Sequence, residues 1–395
     1  MSDERLKGIW PQWHLIEEIG RGSYGTVYKA VREEHGVKAY SAIKIISIPQ
    51  KEAEKQSLLA DGLDDIAARK YFENIVENTV GEIKVLESMK GNSNIVSIED
   101  YMVITEQGKI GWDIFIRMEL LTSYLDYIAD KRPDETMAIK LGTDICSALD
   151  LCAKKNIVHR DVKPENIFIS QFGDFKIGDF GIARELAMIN SSLTISGTQN
   201  YIAPEVRSMH YDATVDIYSL GLVLYKMLNN NRLPFVDPHA QLVNPNDYHA
   251  ALERRFSGEE IPDPINASPV FAKVIRRACA FDPEKRYQSA LAFRNALDTI
   301  KDTNATIRIA LARKEADLPE QDEPHTQVVV PSHPAPPMHT KIGPGFLKKP
   351  PAENKPESLM PRSKKNHSNT ILGITTIIVV VVVIIIINVI ISGTG

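Results

Sequence analysis

Residues 159–166 read His-Arg-Asp-Val-Lys-Pro-Glu-Asn, and the other motifs of the chain become intelligible around this stretch. It places an aspartate, a lysine and an asparagine at fixed offsets, as Asp161, Lys163 and Asn166. Taken alone, such a run is also compatible with a simple polar turn. Segments elsewhere in the chain therefore decide between a catalytic loop and a turn.

A glycine-rich segment lies near the amino terminus, after a run that alternates apolar and polar residues. It reads Gly-Arg-Gly-Ser-Tyr-Gly-Thr-Val over residues 20–27. Glycines at these positions let backbone amides approach phosphate oxygens without a Cβ in the way. A second strand-like run follows, whereas a dinucleotide-binding fingerprint would open a helix. The context favours a phosphate-binding loop between two strands, with a plain hairpin turn as the alternative.

These segments, together with Asp-Phe-Gly at 179–181 and Ala-Pro-Glu at 203–205, resemble the protein kinase family in their order and spacing. The resemblance covers about residues 9–300. It implies an α+β, bilobal fold, with a small β-rich lobe that carries a helix (about 9–121) and a larger, mainly helical lobe (about 122–300). Residues 1–8 are then expected to form an amino-terminal tail.

The resemblance implies roles for the polar residues of these motifs. Asp161 orients the attacking hydroxyl and accepts its proton, Lys163 steadies the transferring phosphate, and Asn166 and Asp179 bind the metal. Lys44, inside the apolar strand 40–46, contacts the α- and β-phosphates and pairs with a glutamate of the following helix. Glu82 is the preferred glutamate, and Glu77 and Glu87 are the alternatives.

The resemblance also implies ATP as the nucleotide and Mg²⁺, or alternatively Mn²⁺, as the metal. Val27 covers the adenine ring, the backbones of Glu119 and Leu121 form hydrogen bonds with it, and Met118 guards the pocket behind it. The implied nucleotide site consists of Ile19, Gly20, Gly22, Ser23, Gly25, Val27, Ala42, Lys44, Met118, Glu119 and Leu121.

Lys44 and Glu82 are separated by more residues than most members of the family need. Residues 50–90 are rich in Glu, Lys, Ala and Leu, which predicts one or two added helical segments before the glutamate. They form either a lid over the small lobe or a dimerisation or regulatory surface that controls Glu82.

Hydroxyl side chains are dense between Asp179 and Ala203. Ser191, Ser192, Thr194 and Ser196 are candidate phosphorylation sites, because a phosphate there could pair with Arg160 and order the loop. Thr194 and Ser196 are preferred, although mobile loops in general carry such hydroxyls. Thr198 resembles the threonine that reaches back to Asp161 and Lys163, which is typical of the serine/threonine branch of the family.

Four further elements complete the predicted large lobe. Apolar periodicity predicts a helix from Thr136 to Lys154 and another from Asp216 to Leu228. A hairpin is expected between 167–169 and 175–177, and a last helix runs to about Ile300. By resemblance, Asp216 anchors the catalytic-loop backbone and Arg286 pairs with Glu205.

The composition of the 395 residues is typical of a globular chain, with 43% hydrophobic and 25% charged residues. The net charge of −5 argues against a broad nucleic-acid surface. Cys146, Cys152 and Cys279 show no metal-like spacing and are interpreted as thiols in a reducing compartment.

The carboxyl-terminal part has a different character. Residues 301–370 are expected to form a proline-rich, basic linker, and 371–391 form an apolar run without charge that is long enough for a transmembrane helix. Basic residues lie only before this run, so the positive-inside rule predicts a single-pass protein of the cell membrane with a cytoplasmic kinase domain and a short outer tail, 392–395. No signal peptide is expected.

The sequence therefore predicts a serine/threonine protein kinase that transfers the γ-phosphoryl of ATP to Ser and Thr of protein substrates, activates by phosphorylation between copies, and resembles bacterial membrane-anchored members. A homodimer is an open alternative to a monomer. Two functional alternatives remain, a catalytically weak, pseudokinase-like membrane scaffold and a small-molecule kinase.

Overall fold

The structure is a computed structural model that describes residues 4–22, 25–105, 110–180, 198–208 and 211–316. These residues belong to one unit, Met1–Glu320. Its amino-terminal half is built on a five-stranded sheet and its second half is mainly helical, as the sequence predicts.

The five-stranded sheet is antiparallel throughout. Its strands are β1 (His14–Gly22), β2 (Gly25–Glu34), β3 (Val37–Ile48), β4 (Ile98–Thr105) and β5 (Trp112–Glu119), in the spatial order β1-β2-β3-β5-β4. Residues alternate between the two faces of a strand, and β3 divides its isoleucines accordingly. Ile46 packs in one hydrophobic cluster and Ile43 and Ile45 in another.

Two helices between β3 and β4 cover one face of this sheet, as the sequence predicts for the inserted residues. They are α2 (Glu52–Ala60) and α3 (Asp65–Glu87). Asp64 caps α3, since its carboxylate accepts the N–H of Ala67 at 2.7 Å. Phe72, Val76 and Ile83 are buried at helical spacing and pack on Ile46 and Ile114. The α3 helix therefore holds Glu82 against the sheet.

The amino-terminal segment covers the opposite face of the sheet. Helix α1 (Glu4–Lys7) and the residues after it bury Leu6, Trp10 and Trp13 against Ile43 and Phe115. Trp10 Nε1 donates to Asp100 Oδ2 at 2.8 Å. The predicted tail 1–8 is corrected here, because Leu6 belongs to the hydrophobic core.

The second half packs around a largely buried helix, α6. The helices are α4 (Tyr124–Ile128), α5 (Glu135–Lys154), α6 (Thr214–Met227), α7 (Pro245–Phe256), α8 (Pro269–Ala278) and α9 (Ala290–Ala316). The small sheet β6-β7-β8 consists of Thr122–Ser123, Ile167–Ile169 and Phe175–Ile177. The predicted hairpin is therefore confirmed, and α5 and α6 agree with the predicted helices to within a few residues.

Helix α9 differs from its predicted end. It continues past Ile300 to Ala316, so the first part of the predicted linker 301–370 is helical. Residues 301–316 contain neither proline nor glycine, and nothing in them interrupts a helix.

Cys146, Cys152 and Cys279 are free and buried. Within the described ranges, no helix combines the length and apolar character needed to cross a bilayer. The predicted membrane span at 371–391 and the tail 392–395 lie outside the described residues.

Candidate active site

The segment 159–166 is a turn that its own polar side chains hold together. Asn166 is 4% exposed, and its Nδ2 donates to the backbone O of Asp161 at 2.8 Å and to Asp161 Oδ2 at 2.9 Å. Lys163 Nζ lies 2.8 Å from the same Oδ2. The structure therefore brings Asp161, Lys163 and Asn166 into one cluster.

Asp216, near the start of α6, anchors this turn from below. Its Oδ2 accepts the N–H of His159 at 2.7 Å and its Oδ1 accepts the N–H of Arg160 at 2.8 Å. Arg160 has a φ of 65°, a left-handed backbone conformation that L residues rarely adopt. The paired hydrogen bonds offset the strain of that conformation. Burial raises the pKa of Asp216 to about 6, although the two N–H donors act in the opposite direction.

His159 and Phe180 form the buried floor behind the turn. Their ring centroids are 4.4 Å apart, and His159 Nε2 lies 3.2 Å from the carbonyl O of Gly178. Burial lowers the pKa of His159 to about 4, so its ring is neutral at neutral pH. A neutral ring packs against Phe180 without a buried charge.

The strand β8 delivers Asp179 to the same site through Gly178. A Cβ at Gly178 would lie 2.7 Å from Val96 Cγ2, so a side chain does not fit there. Asp179 has a φ of 53°, and its Oδ1 lies 2.5 Å from Lys44 Nζ on β3. The Asp179 side chain is still 44% exposed, which leaves its carboxylate accessible to a cation.

The ion pair between Lys44 and Asp179 is charged at neutral pH. Burial lowers the pKa of Lys44, but the carboxylates of Asp179, Glu82 and Asp161 outweigh it, and the net pKa is raised. Burial likewise raises the pKa of Asp179, but Lys44 outweighs it and the net pKa is lowered. Lys44 is therefore a fixed positive charge among three carboxylates.

Glu82 is half-buried on α3, whereas Glu77 and Glu87 are exposed. Its charge is one of those that raise the pKa of Lys44. Of the three glutamates considered from the sequence, Glu82 is thus the one that the structure holds against the sheet near Lys44.

Four of the predicted nucleotide residues, Val27, Ala42, Lys44 and Met118, share one face of the sheet. Val27 lies opposite Lys44, and Ala42 lies opposite Met118, in the register of β2, β3 and β5. Gly25 has a φ of 146°, and a Cβ there would lie 2.3 Å from the backbone O of Ile45, so only glycine fits. Gly20 and Gly22 end β1, and Ile19 is exposed beside them. Ser23 lies outside the described residues.

The strand β5 ends at the predicted hinge. The N–H of Glu119 donates to the O of Ser97 at 3.1 Å, and Leu121 is half-buried. The Glu119 carboxylate accepts from Lys176 Nζ at 2.7 Å. Lys176 belongs to none of the motifs that the sequence shows. A charged residue between the buried Phe175 and Ile177 was the signal that could have identified it.

Glu205 and Arg286 form a buried bidentate ion pair. Arg286 Nη1 and Nη2 lie 2.5 and 2.8 Å from the two carboxylate oxygens, and Arg286 is 0% exposed. Arg286 also donates to the carbonyl oxygens of Ala280 at 2.7 Å and Phe281 at 3.1 Å. The pair fixes the end of the segment that precedes α6, as the resemblance implies.

Several predicted residues are not tested by this geometry. Ser191, Ser192, Thr194 and Ser196 lie outside the described residues. Thr198 begins a short 3₁₀ helix, Thr198–Tyr201, but its side chain is not among those described. Its contact with Asp161 and Lys163 stays a prediction.

The residues around Asp179 fit a hard divalent cation. Asp179 offers carboxylate oxygen, and Asn166 commits its Nδ2 to Asp161, which turns its Oδ1 into the acceptor left for a metal. Mg²⁺ commonly takes one or two protein oxygens and completes its shell with water and phosphate. No group of three or more His, Cys, Asp or Glu side chains suited to a metal occurs among the described residues.

A family model described as protein kinase domain matches residues 13–297. The chain belongs to the protein kinase family. The match begins at Trp13 and ends within α9, and so includes every motif described above.

Curated relatives place the chain among serine/threonine kinases. It is 28% identical over 283 residues to a "Probable serine/threonine-protein kinase PknB" of Lactococcus lactis, an alignment that covers 70% of this chain and 40% of the relative. It is 36% identical over 177 residues to the serine/threonine-protein kinase PknB of Mycolicibacterium smegmatis (42% and 27%). It is 30% identical over 289 residues to the serine/threonine-protein kinase ULK3 of Xenopus laevis, an alignment that covers 69% of this chain and 52% of the relative. The chain thus spans about half or less of the length of these relatives.

Proposed function

We propose that this protein is a serine/threonine protein kinase that transfers the γ-phosphoryl of ATP to Ser and Thr hydroxyls of proteins. The observation that carries the proposal is the convergence of Lys44, Asp161, Lys163, Asn166 and Asp179 at one site. Lys163 Nζ and Asn166 Nδ2 lie 2.8 and 2.9 Å from Asp161 Oδ2, and Lys44 Nζ lies 2.5 Å from Asp179 Oδ1. Asn166 Nδ2 also lies 3.5 Å from the backbone O of Asp179, which brings the two groups together. A catalytically weak scaffold would not need all five residues, and all five are present.

The residues of the site have distinct roles in phosphoryl transfer. When bound, Mg²⁺ offsets the charge that develops on the transferred phosphoryl group. Asn166 and Lys163 hold the Asp161 carboxylate in one orientation. A fixed orientation is needed because Asp161 receives the proton of the substrate hydroxyl. Lys44 supplies a positive charge for phosphate oxygens. Gly20 and Gly22 carry no Cβ that would keep their backbone amides away from the same oxygens.

Two features favour a protein as the phosphate acceptor over a small molecule. The Ala-Pro-Glu segment at 203–205 is tied to the core by Arg286. Tyr201, just before it, is held by Ser219, whose Oγ donates to the Tyr201 carbonyl at 2.8 Å, and by Lys226, whose Nζ lies 3.0 Å from the Tyr201 hydroxyl. A rigid platform beside the catalytic loop suits an extended peptide.

Membrane attachment and activation are part of the same proposal. The apolar run at 371–391 and the basic residues before it support a single membrane span with the kinase domain in the cytoplasm. Confinement to a surface raises the effective concentration of neighbouring copies, which favours phosphorylation of one copy by another at Thr194 or Ser196. A homodimer formed through α2 and α3 would also bring two copies together for phosphorylation of one by the other.

Phosphate transfer by the full chain in detergent tests the proposal. The chain is incubated with ATP and Mg²⁺, with and without a generic basic protein, and phosphorylated residues are mapped by mass spectrometry. We expect phosphoserine and phosphothreonine, and we expect Asp161→Asn to lower the rate by about 10²- to 10⁴-fold. Asp150→Asn is the matched control, because Asp150 forms an ion pair with Lys154 on the outer part of α5.

Wild-type protein that binds ATP but transfers no phosphate would replace the kinase by the scaffold alternative. Transfer that survives in Asp161→Asn would show that the phosphate came from a contaminating kinase.

A further inference from the structure

The carboxylate of Glu119 links three parts of the chain. Its Oε1 accepts the backbone N–H of Ser97 at 2.6 Å and the Lys176 ammonium at 2.7 Å. The backbone of Glu119 completes the link, since its own N–H donates to the carbonyl of Ser97 at 3.1 Å. Glu119 and Ser97 are therefore bonded in both directions, and Lys176 holds the carboxylate at their junction.

The segment 94–97 connects this junction to β8 as well. Ile177 donates its N–H to the O of Asn94 at 2.9 Å and accepts the N–H of Val96 at 2.9 Å. Lys176 Nζ also lies 3.5 Å from the O of Ile95. The hinge end of β5 is thus joined to the strand that leads to Asp179, once through backbone bonds and once through the Lys176 side chain.

The ion pair between Lys176 and Glu119 is shielded from water. The two side chains are 12% and 25% exposed. A charge-assisted hydrogen bond in such surroundings is stronger and more directional than one at the surface. By contrast, the Lys154 side chain on α5 is 69% exposed in its pair with Asp150, where water screens the attraction.

We propose that Lys176, acting through the Glu119 carboxylate, is a positioning residue that fixes the backbone of the nucleotide-binding hinge. The proposal rests on the proposed function only in that ATP is the ligand of the hinge. The N–H of Glu119 is used by Ser97, so the hinge is left with the Glu119 carbonyl and the Leu121 backbone to meet the adenine edge. Their direction depends on how Glu119 is held, and Lys176 holds the Glu119 carboxylate at its junction with Ser97. Lys176 need not touch the nucleotide.

Nucleotide binding to the full chain in detergent tests the proposal. The Kd for ATP is measured by calorimetry, with and without Mg²⁺, for wild type, Lys176→Met, Lys176→Arg, Glu119→Gln and the control Lys154→Met. Lys176→Met and Glu119→Gln should raise Kd about tenfold, because a small misplacement of binding groups costs affinity on this scale. Lys176→Arg keeps the charge and should stay within about threefold of wild type, and Lys154→Met should match wild type.

Kinetics separate positioning from a general loss of structure. Lys176→Met should raise the KM for ATP about tenfold and change kcat by less than about twofold, since Asp161 and Asp179 are untouched. A loss of fold would lower kcat and the melting temperature together. Should Lys176→Met fail to fold, the isosteric Glu119→Gln decides the question.

Several outcomes would overturn the proposal. They are unchanged ATP affinity in both Lys176→Met and Glu119→Gln, an equal loss in Lys154→Met, or a rise in kcat on breaking the pair. A different result would contradict the proposed function. Wild-type protein that neither binds ATP nor transfers phosphate would rule it out before any variant is compared.

Discussion

The backbone N–H of His159 donates to the carboxylate of Asp216 at 2.7 Å, and burial moves the pKa values of these two residues in opposite directions. It lowers the pKa of His159 to about 4 and raises that of Asp216 to about 6. Both shifts favour the neutral side chain. The two shifts change the pH dependence of stability in opposite directions. Stability rises with pH through His159, because the folded state resists its protonation, and falls with pH through Asp216, because the folded state retains its proton.

The contribution of His159 can be isolated by its pH dependence. The folded pKa of about 4 lies below the ordinary value of 6.5, so the unfolded chain binds more protons between these values, and this contribution rises with pH across the window. The stability advantage of wild type over His159→Phe should therefore grow by about 3 kcal/mol from pH 4 to 6.5. Urea unfolding at three pH values measures it. The exposed His249→Asn is the control, and a flat difference for His159→Phe would contradict the account.

Gly178 should not tolerate a methyl group. A Cβ there would lie 2.7 Å from Val96 Cγ2 and 3.2 Å from the ring of Phe168, so Gly178→Ala should lower the free energy of unfolding by about 1–3 kcal/mol. Gly81 on α3 has no atom within 4 Å of its Cβ position, and Gly81→Ala should stabilise by up to about 1 kcal/mol. Thermal unfolding compares the two. Adding Val96→Ala to Gly178→Ala should restore part of the loss, and no restoration would point to a different cause.

Removal of Arg286 should destabilise the protein strongly. Arg286→Met removes the guanidinium that binds the largely buried Glu205 carboxylate, and breaking comparable buried pairs costs about 3–5 kcal/mol. Arg286→Lys should recover little, because an ammonium cannot replace both bonds to the carboxylate. Denaturant unfolding is the measurement, and Lys285→Met, whose side chain is 77% exposed, is the neighbouring control. A loss below about 1 kcal/mol would rule out the structural role.

Lys44→Met should weaken ATP binding without unfolding the protein. The substitution removes a positive charge that three carboxylates stabilise, and phosphate oxygens would then meet Asp179 and Glu82 without it. We expect the Kd for ATP to rise by at least about tenfold. Calorimetry on the full chain measures it, with Lys38→Met, an exposed lysine on the same strand, as control. Equal affinities for wild type and Lys44→Met would remove Lys44 from the nucleotide site.

The sequence predicted those parts of the site that depend on local motifs. The hairpin of β7 and β8 follows from the local sequence pattern, and the cluster of Asp161, Lys163 and Asn166 follows from the family resemblance of residues 159–166. Contacts that join distant segments were predicted only where the family resemblance implied them, as for Arg286 with Glu205 and Asp216 with the catalytic-loop backbone. The pair Glu119–Lys176 spans 57 positions, and neither residue type at its position signals the other. The left-handed conformation of Arg160 was not predicted either, although the contact of its N–H with Asp216 was, because the motif does not specify a backbone angle at this position.

The burial of Leu6 and Trp10 has a practical consequence for sample preparation. The family match begins at residue 13, and a shortened protein cut there would lose both side chains. Ile43 and Phe115 would then face solvent, and the Asp100 carboxylate would lose its indole donor. Such a fragment would expose apolar surface and tend to aggregate. A loss of activity in it would then reflect the truncation and not the kinase domain. A fusion tag belongs ahead of residue 4 with a spacer, so that the indole ring of Trp10 can still dock.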